Sequence, residues 1–170
     1  HVSMVISWII IGATGGVYYY ISKEHDRGLY SEALEKAHFW IFLITGLLIF
    51  LSITTNNMGG REYMTCAPIL YFPIIIGWIL FAINYYRTIF INVKSWPVYL
   101  WMWMTGIVFM IFTYTEAHLW LIPYFRDSVI RDITVQWKSY GSMVGSWNML
   151  IYGTAIYIMS KIKGDDFDEA

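Results

Sequence analysis

The segment Ile69–Ile91, ILYFPIIIGWILFAINYYRTIFI, has Arg87 as its sole charged side chain. A helix needs about 20 mostly apolar residues to cross the roughly 30 Å hydrocarbon core of a bilayer, and this stretch has that length. Four further runs share its character, at Val2–Ile21, Ala37–Thr54, Pro97–Leu121 and Ile133–Met159. Hydrophobic residues make up 58% of the chain and charged ones 14%, where an ordinary soluble domain carries about 25% charged residues. The expectation is an all-α polytopic membrane helix bundle with five transmembrane helices. Residues 1–160 form a single bundle and residues 161–170 a polar tail.

Working outward, the connectors Ser22–Lys36, Thr55–Pro68, Asn92–Trp96 and Ile122–Asp132 are short enough to join antiparallel neighbours. Ser31, followed by Glu32 and Glu35, is suited to cap a helix and complement its dipole. Pro97 suits the first turn of the fourth helix and Pro123 its stop, while Pro68 and Pro73 fall in the opening turns of the third. Five passes put the termini on opposite sides. Lys23, Arg27, Lys36, Arg87, Lys94, Lys161 and Lys163 then share one side, and Arg61, Arg126, Arg131 and Lys138 the other. The excess of basic residues marks the first side as cytoplasmic. The N-terminus is thereby expected on the periplasmic or outer face, and the C-terminus in the cytoplasm.

A net charge of −1 gives no reason to expect nucleic acid as a partner. One cysteine, Cys66, excludes an intramolecular disulfide and any multi-cysteine metal site. Tyr18, Tyr19, Tyr20, Trp40, Tyr85, Tyr86, Trp96, Trp120, Tyr124 and Trp137 fall near span ends and read as interfacial belts. Gly12 with Gly16, Gly141 with Gly145, and Ser142 with Ser146 have the spacing at which membrane helices approach closely.

Polar side chains inside a membrane are costly, so each asks for a partner. The candidates are His1, His38, Glu116, His118, Lys138 and Asn148. Four of them, His1, Glu116, His118 and Lys138, fall at the outer ends of their helices. There they either converge or reach solvent, and for Lys138 snorkelling is the simpler reading. Two neutral imidazoles on one side, His1 and His118, are what six-coordinate haem iron requires. His38 lies at the opposite end, where a carbonyl or headgroup is its expected partner. No metalloprotease, nucleophile-elbow, P-loop or dinucleotide motif is present, and no catalytic residue is assigned.

Three elements carry a family resemblance. His1-Val2 opening an apolar helix that ends in Tyr18-Tyr19-Tyr20 resembles the second helix of the haem–copper oxidase large subunit, in its cytochrome cbb-type oxidase and nitric oxide reductase branches. The loop Gly60-Arg61-Glu62-Tyr63 is similar to the G-[RK]-E-[FY] loop of that family. Ile122-Pro123, with Asp132-Ile133-Thr134-Val135-Gln136-Trp137 running on to Val144-Gly145, resembles the loop and start of its sixth helix. The resemblance implies that His1 ligates a low-spin haem b and that Glu62 helps hold a calcium ion bridging haem propionates next to a c-type cytochrome subunit. Arg61 is implied as a counter-charge to the propionates.

The departures matter as much. Aligned from Gln136-Trp137, the position of a histidine ligand to the catalytic copper or non-haem iron is taken by Gly141, with Ser142 adjacent. The nitric oxide reductases also use glutamates in this helix, and here the neighbouring positions are Val144 and Asn148. The helices carrying the remaining metal ligands have no counterpart here, and the polarity of Lys161–Ala170 looks like a genuine carboxyl terminus. These observations lead to a truncated oxidase-like membrane subunit of a respiratory electron-transfer complex. It would bind a b-type haem through His1, with His118 as the internal candidate for second ligand, or dock a c-type cytochrome among other membrane subunits. It would have no oxygen- or nitric-oxide-reducing site of its own. The alternatives are a non-redox structural or assembly subunit and, disfavoured by Gly141, one half of a split enzyme.

Overall fold

A computed structural model describes residues 2–24, 28–61 and 65–164. The long helices are α1 (Val2–Glu24), α2 (Glu32–Thr54), α3 (Tyr71–Asn92) and α4 (Val98–Ala117), and α6 (Val129–Lys163) follows the single-turn α5 (Pro123–Arg126). No strand occurs among the described residues. Ser31 caps α2 as its sequence suggests, its Oγ accepting from the Leu34 N–H at 3.3 Å, with Glu32 and Glu35 in the positive first turn. Pro68 opens a 3₁₀ turn, Pro68–Leu70, that leads directly into α3. Pro97 is the extended residue before α4. Pro123 starts α5, because its missing N–H costs nothing at a first helical position.

Four of the five expected spans stand as helices long and apolar enough to cross a membrane: Val5–Lys23, Glu32–Thr54, Pro68–Ile91 and Val98–Leu121. The expected fifth, Ile133–Met159, lies inside α6, which is long enough but less apolar. Ser139, Gly141, Ser142, Gly145, Ser146, Asn148, Gly153 and Thr154 dilute its hydrophobic surface. It nevertheless packs antiparallel to α4 along its whole apolar length. Lys138 meets Glu116 at one end, and Tyr157 meets Tyr99 at the other. The helix continues through Lys163.

Helix α4 is the hub. It packs against α3 on one side and α6 on the other; α2 lies beyond α3, and α1 beyond α6. The result is an arc α2–α3–α4–α6–α1 in which neighbours are antiparallel, except that α1 runs parallel to α6, as the Tyr20–Tyr157 contact at their C-terminal ends indicates. In lipid there is no hydrophobic drive between helices, so close packing and hydrogen bonds must hold them. The α4–α6 seam supplies both. The Trp103 indole Nε1 donates to Leu150 O at 3.1 Å and to Thr154 Oγ1 at 3.2 Å. Gly106 and Gly153 let the backbones approach, since a Cβ at Gly106 would stand 2.8 Å from Ser146 O and one at Gly153 2.7 Å from the Trp103 ring. Gly77 does the same for α3 against Phe42 of α2.

Two sequence expectations are corrected. Gly12, Gly141 and Gly145 have nothing within 4 Å of a hypothetical Cβ, so the close-approach glycines are others. Helical spacing marks which residues share a face, but not which face meets a neighbour. The proposed belts also divide. Tyr19, Trp40, Tyr124 and Trp137 are exposed, whereas Tyr18 and Tyr85 are core residues, and the Tyr85 hydroxyl donates to Leu100 O at 2.7 Å.

Candidate functional site

The polar side chains gather at the end of the bundle formed by the start of α1, the end of α2, the start of α3, the end of α4 and the start of α6. Helix α4 stops at Ala117, and His118 follows with its N–H bonded to Thr115 O at 3.1 Å. Its side chain turns back, and Nδ1 lies 2.8 Å from Tyr114 O. A carbonyl can only accept, so Nδ1 carries the proton and the lone pair of the neutral ring resides on Nε2. This is the tautomer in which Nε2 is free to ligate a metal while Nδ1–H is held by a carbonyl. The imidazole is buried and packs against Tyr71 and Tyr114, with ring centroids 4.3 and 4.6 Å away. Tyr71 is itself tied to α4, its hydroxyl donating to Thr115 Oγ1 at 3.2 Å.

Arg61 is engaged from three sides. Its Nη2 lies 2.7 Å from Asp132 Oδ2, its Nη1 donates to Gln136 Oε1 at 3.3 Å, and its guanidinium sits 5.1 Å from the Trp120 ring. Asp132 and Gln136 are one turn apart on α6, so both reach the same planar cation. The side chains of the pair are about four-fifths buried. This contact fastens the α2–α3 connector to the start of α6, and it engages the guanidinium that the resemblance offers to haem propionates. Asp132 and Gln136 were legible as motif residues, but nothing in their spacing paired them with Arg61, 71 and 75 positions away.

Glu116 and Lys138 form a second α4–α6 contact, with Nζ 2.7 Å from Oε1. Lys138 both extends outward and finds a partner. Asn148 is half-buried on α6. His38 departs from its expected interfacial role. It is buried at the other end of the bundle, its ring stacked on Phe81 at 5.3 Å and tilted against Tyr18 at 5.7 Å. Among the described residues, His38 Nε2 has no hydrogen-bond partner. Its position on the face of α2 that meets α3 explains the burial. His1 and Glu62 lie outside the described residues.

Beside this polar layer is a cavity of about 140 Å³, walled by α1, α2, α3, α4 and α6 and closed at one end by Thr65 and Cys66. Burial pushes the Cys66 thiol above its ordinary pKa. Tyr114 lines this cavity, but His118, one turn further on, does not, and among the described residues no histidine lines it. Among the described residues no group of three or more His, Cys, Asp or Glu is placed to hold a metal ion. His118 thus has the tautomer a metal ligand needs, Arg61 is paired with Asp132, and among the described residues the cavity offers no imidazole.

No protein-family model matches the chain, and no solved structure matches it. The chain is 25% identical to a nitric oxide reductase subunit from Stutzerimonas stutzeri over 182 residues, an alignment covering 98% of this chain and 37% of that protein. It thus spans well under half the length of the relative it matches. Among its described residues the chain has four helices long and apolar enough to cross a membrane, and it has a weak similarity to part of a nitric oxide reductase subunit.

Proposed function

We propose that this chain is an oxidase-like subunit of a membrane electron-transfer complex, serving at the Arg61–His118 end of the bundle as a b-type haem site or as the dock for a c-type cytochrome. The observation that carries the reading is the similarity to a nitric oxide reductase along 98% of the chain. His118 adds chemical support, because its Nδ1–H is held by Tyr114 O and its Nε2 has the lone pair a haem iron needs. His1 is the proposed partner ligand. A haem bound there would supply one-electron transfer, and Glu62 would contribute to a calcium site nearby. Gly141 and Ser142, in place of a metal-binding histidine, make oxygen or nitric oxide reduction by this chain's own residues no part of the proposal. The setting proposed is a bacterial inner membrane, with residue 2 on the periplasmic side and Lys163 on the cytoplasmic side.

The test is a pyridine haemochrome and a reduced-minus-oxidised spectrum of the complex purified through this chain, for wild type, His1→Ala and His118→Ala. Loss of one b-type haem in either variant is the expected result. Three unchanged spectra, with c-type cytochrome recovery also unaffected by changes at Arg61 and Glu62, would overturn it.

A second reading, a non-redox scaffold or assembly role, is favoured by one specific feature. Arg61 is already neutralised by Asp132 and held by Gln136 and Trp120, as a structural tie would be. On that reading His1→Ala and His118→Ala retain the full haem content, and Arg61→Ala lowers complex yield.

A further inference from the structure

The two helices that close the arc, α1 and α2, are consecutive in sequence yet share no extended packing. Near the Ser31 end the Tyr18–His38 contact spans the gap between them. Towards the other end the gap widens into the 140 Å³ cavity. Its deep wall is formed by buried Met110 and Met143. Its exposed lining residues, Ile11 and Gly46, lie on α1 and α2 and mark its mouth. Gly46 stands eight residues before the end of α2, or about 12 Å at the helical rise, and about 21 Å from the start. The mouth therefore opens at hydrocarbon depth. The flanking exposed side chains Trp8, Leu43, Leu47 and Phe50 are all apolar.

We propose that this slot holds an acyl chain of a membrane phospholipid, inserted sideways between α1 and α2. The lining is mostly apolar, Ser7, Thr45, Thr65, Cys66 and Tyr114 apart, and an apolar cavity of about 150 Å³ takes a benzene-sized apolar guest. Among the described residues the lining carries no charged side chain, which disfavours a headgroup. A transmembrane helix of a partner is too large, since one turn of a cylinder 10 Å across occupies roughly 400 Å³. A single hydrocarbon chain has the required cross-section, and it is the medium in which the mouth opens.

The experiment uses the full chain in phosphatidylcholine vesicles whose acyl chains carry a mid-chain diazirine, with adducts mapped by mass spectrometry after irradiation. Outward-facing Leu47 and Phe50 will be labelled in any case and serve as the internal reference. The expected result is labelling of Met110 and Met143 as well, reduced at least five-fold relative to that reference in Gly46→Trp and retained in Gly46→Ala. A Cβ at Gly46 meets nothing within 4 Å, so the backbone tolerates the change. Ile11→Trp obstructs the mouth from the opposite wall and decides the matter if Gly46→Trp misfolds. Labelling confined to the outward residues in wild type, or interior labelling that persists in a folded blocking variant, overturns the proposal.

Discussion

Replacing Gly106 by alanine tests whether the α4–α6 seam holds the bundle together. The added methyl would sit 2.8 Å from Ser146 O and 3.1 Å from the Leu150 side chain, where ordinary carbon contacts lie near 3.5–4.0 Å. Leu150 can change rotamer. The Ser146 carbonyl cannot, because it belongs to the backbone of α6, so the helices must separate by more than half an ångström. That separation stretches the nearby Trp103–Leu150 hydrogen bond. Overpacking of this kind costs about 1–3 kcal/mol, and the better helix propensity of alanine offsets up to about 1 kcal/mol of it. After the full offset a net loss of roughly 0–2 kcal/mol is expected. Gly141→Ala and Gly145→Ala carry the same propensity gain with nothing for the methyl to strike, so they should be neutral or up to about 1 kcal/mol more stable. Reversible unfolding in mixed micelles, followed by helical circular dichroism, measures all three. Finding Gly106→Ala as stable as Gly141→Ala would refute the seam.

Three further outcomes follow from the same contacts. Arg61→Ala strips a well-buried carboxylate of its partner, and a hydrogen-bonded charge contributes about 1.5–3 kcal/mol. Arg61→Lys should recover less than half of the loss, because an ammonium cannot span Asp132 and Gln136 together; full rescue in the same unfolding assay counts against the clamp. His38→Phe removes a buried nitrogen that lacks a partner while keeping a ring against Phe81. It should therefore be neutral or stabilising by about 1 kcal/mol, and a clear loss of stability would reveal a partner for Nε2. Asn84→Ala deletes the amide that accepts from Ser31 N at 3.1 Å and donates to Ser31 O at 3.0 Å. A loss of about 1–3 kcal/mol is expected, with faster amide exchange at Ser31 as the local readout; unchanged exchange would show that the clamp is not what orders the start of α2.

Composition and run length by themselves determined that this chain is helical and belongs in a membrane, because hydrocarbon forces every backbone hydrogen bond to be satisfied within the segment. The cap at Ser31 and the prolines at 68, 73 and 97 were legible for a similar reason: they act through their immediate backbone neighbours. The lower hydropathy of α6 was present in its sequence too, but part of the reason for it emerged only with α4 in place, since Ser146, Gly153 and Thr154 serve a helix–helix seam. Which glycines allow close approach, which tyrosines are core and which are belt, and which carboxylate holds Arg61 depend on the order of helices around the arc. That order brings together residues 15 to 75 positions apart, and local periodicity contains no information about it. The cavity between α1 and α2 is likewise a tertiary product, created because two sequence neighbours pack against other helices rather than each other. His118 stands between the two cases. Its sequence position marked it as a costly polar group at a helix end, while only the fold gave it the Tyr114 carbonyl that sets its tautomer.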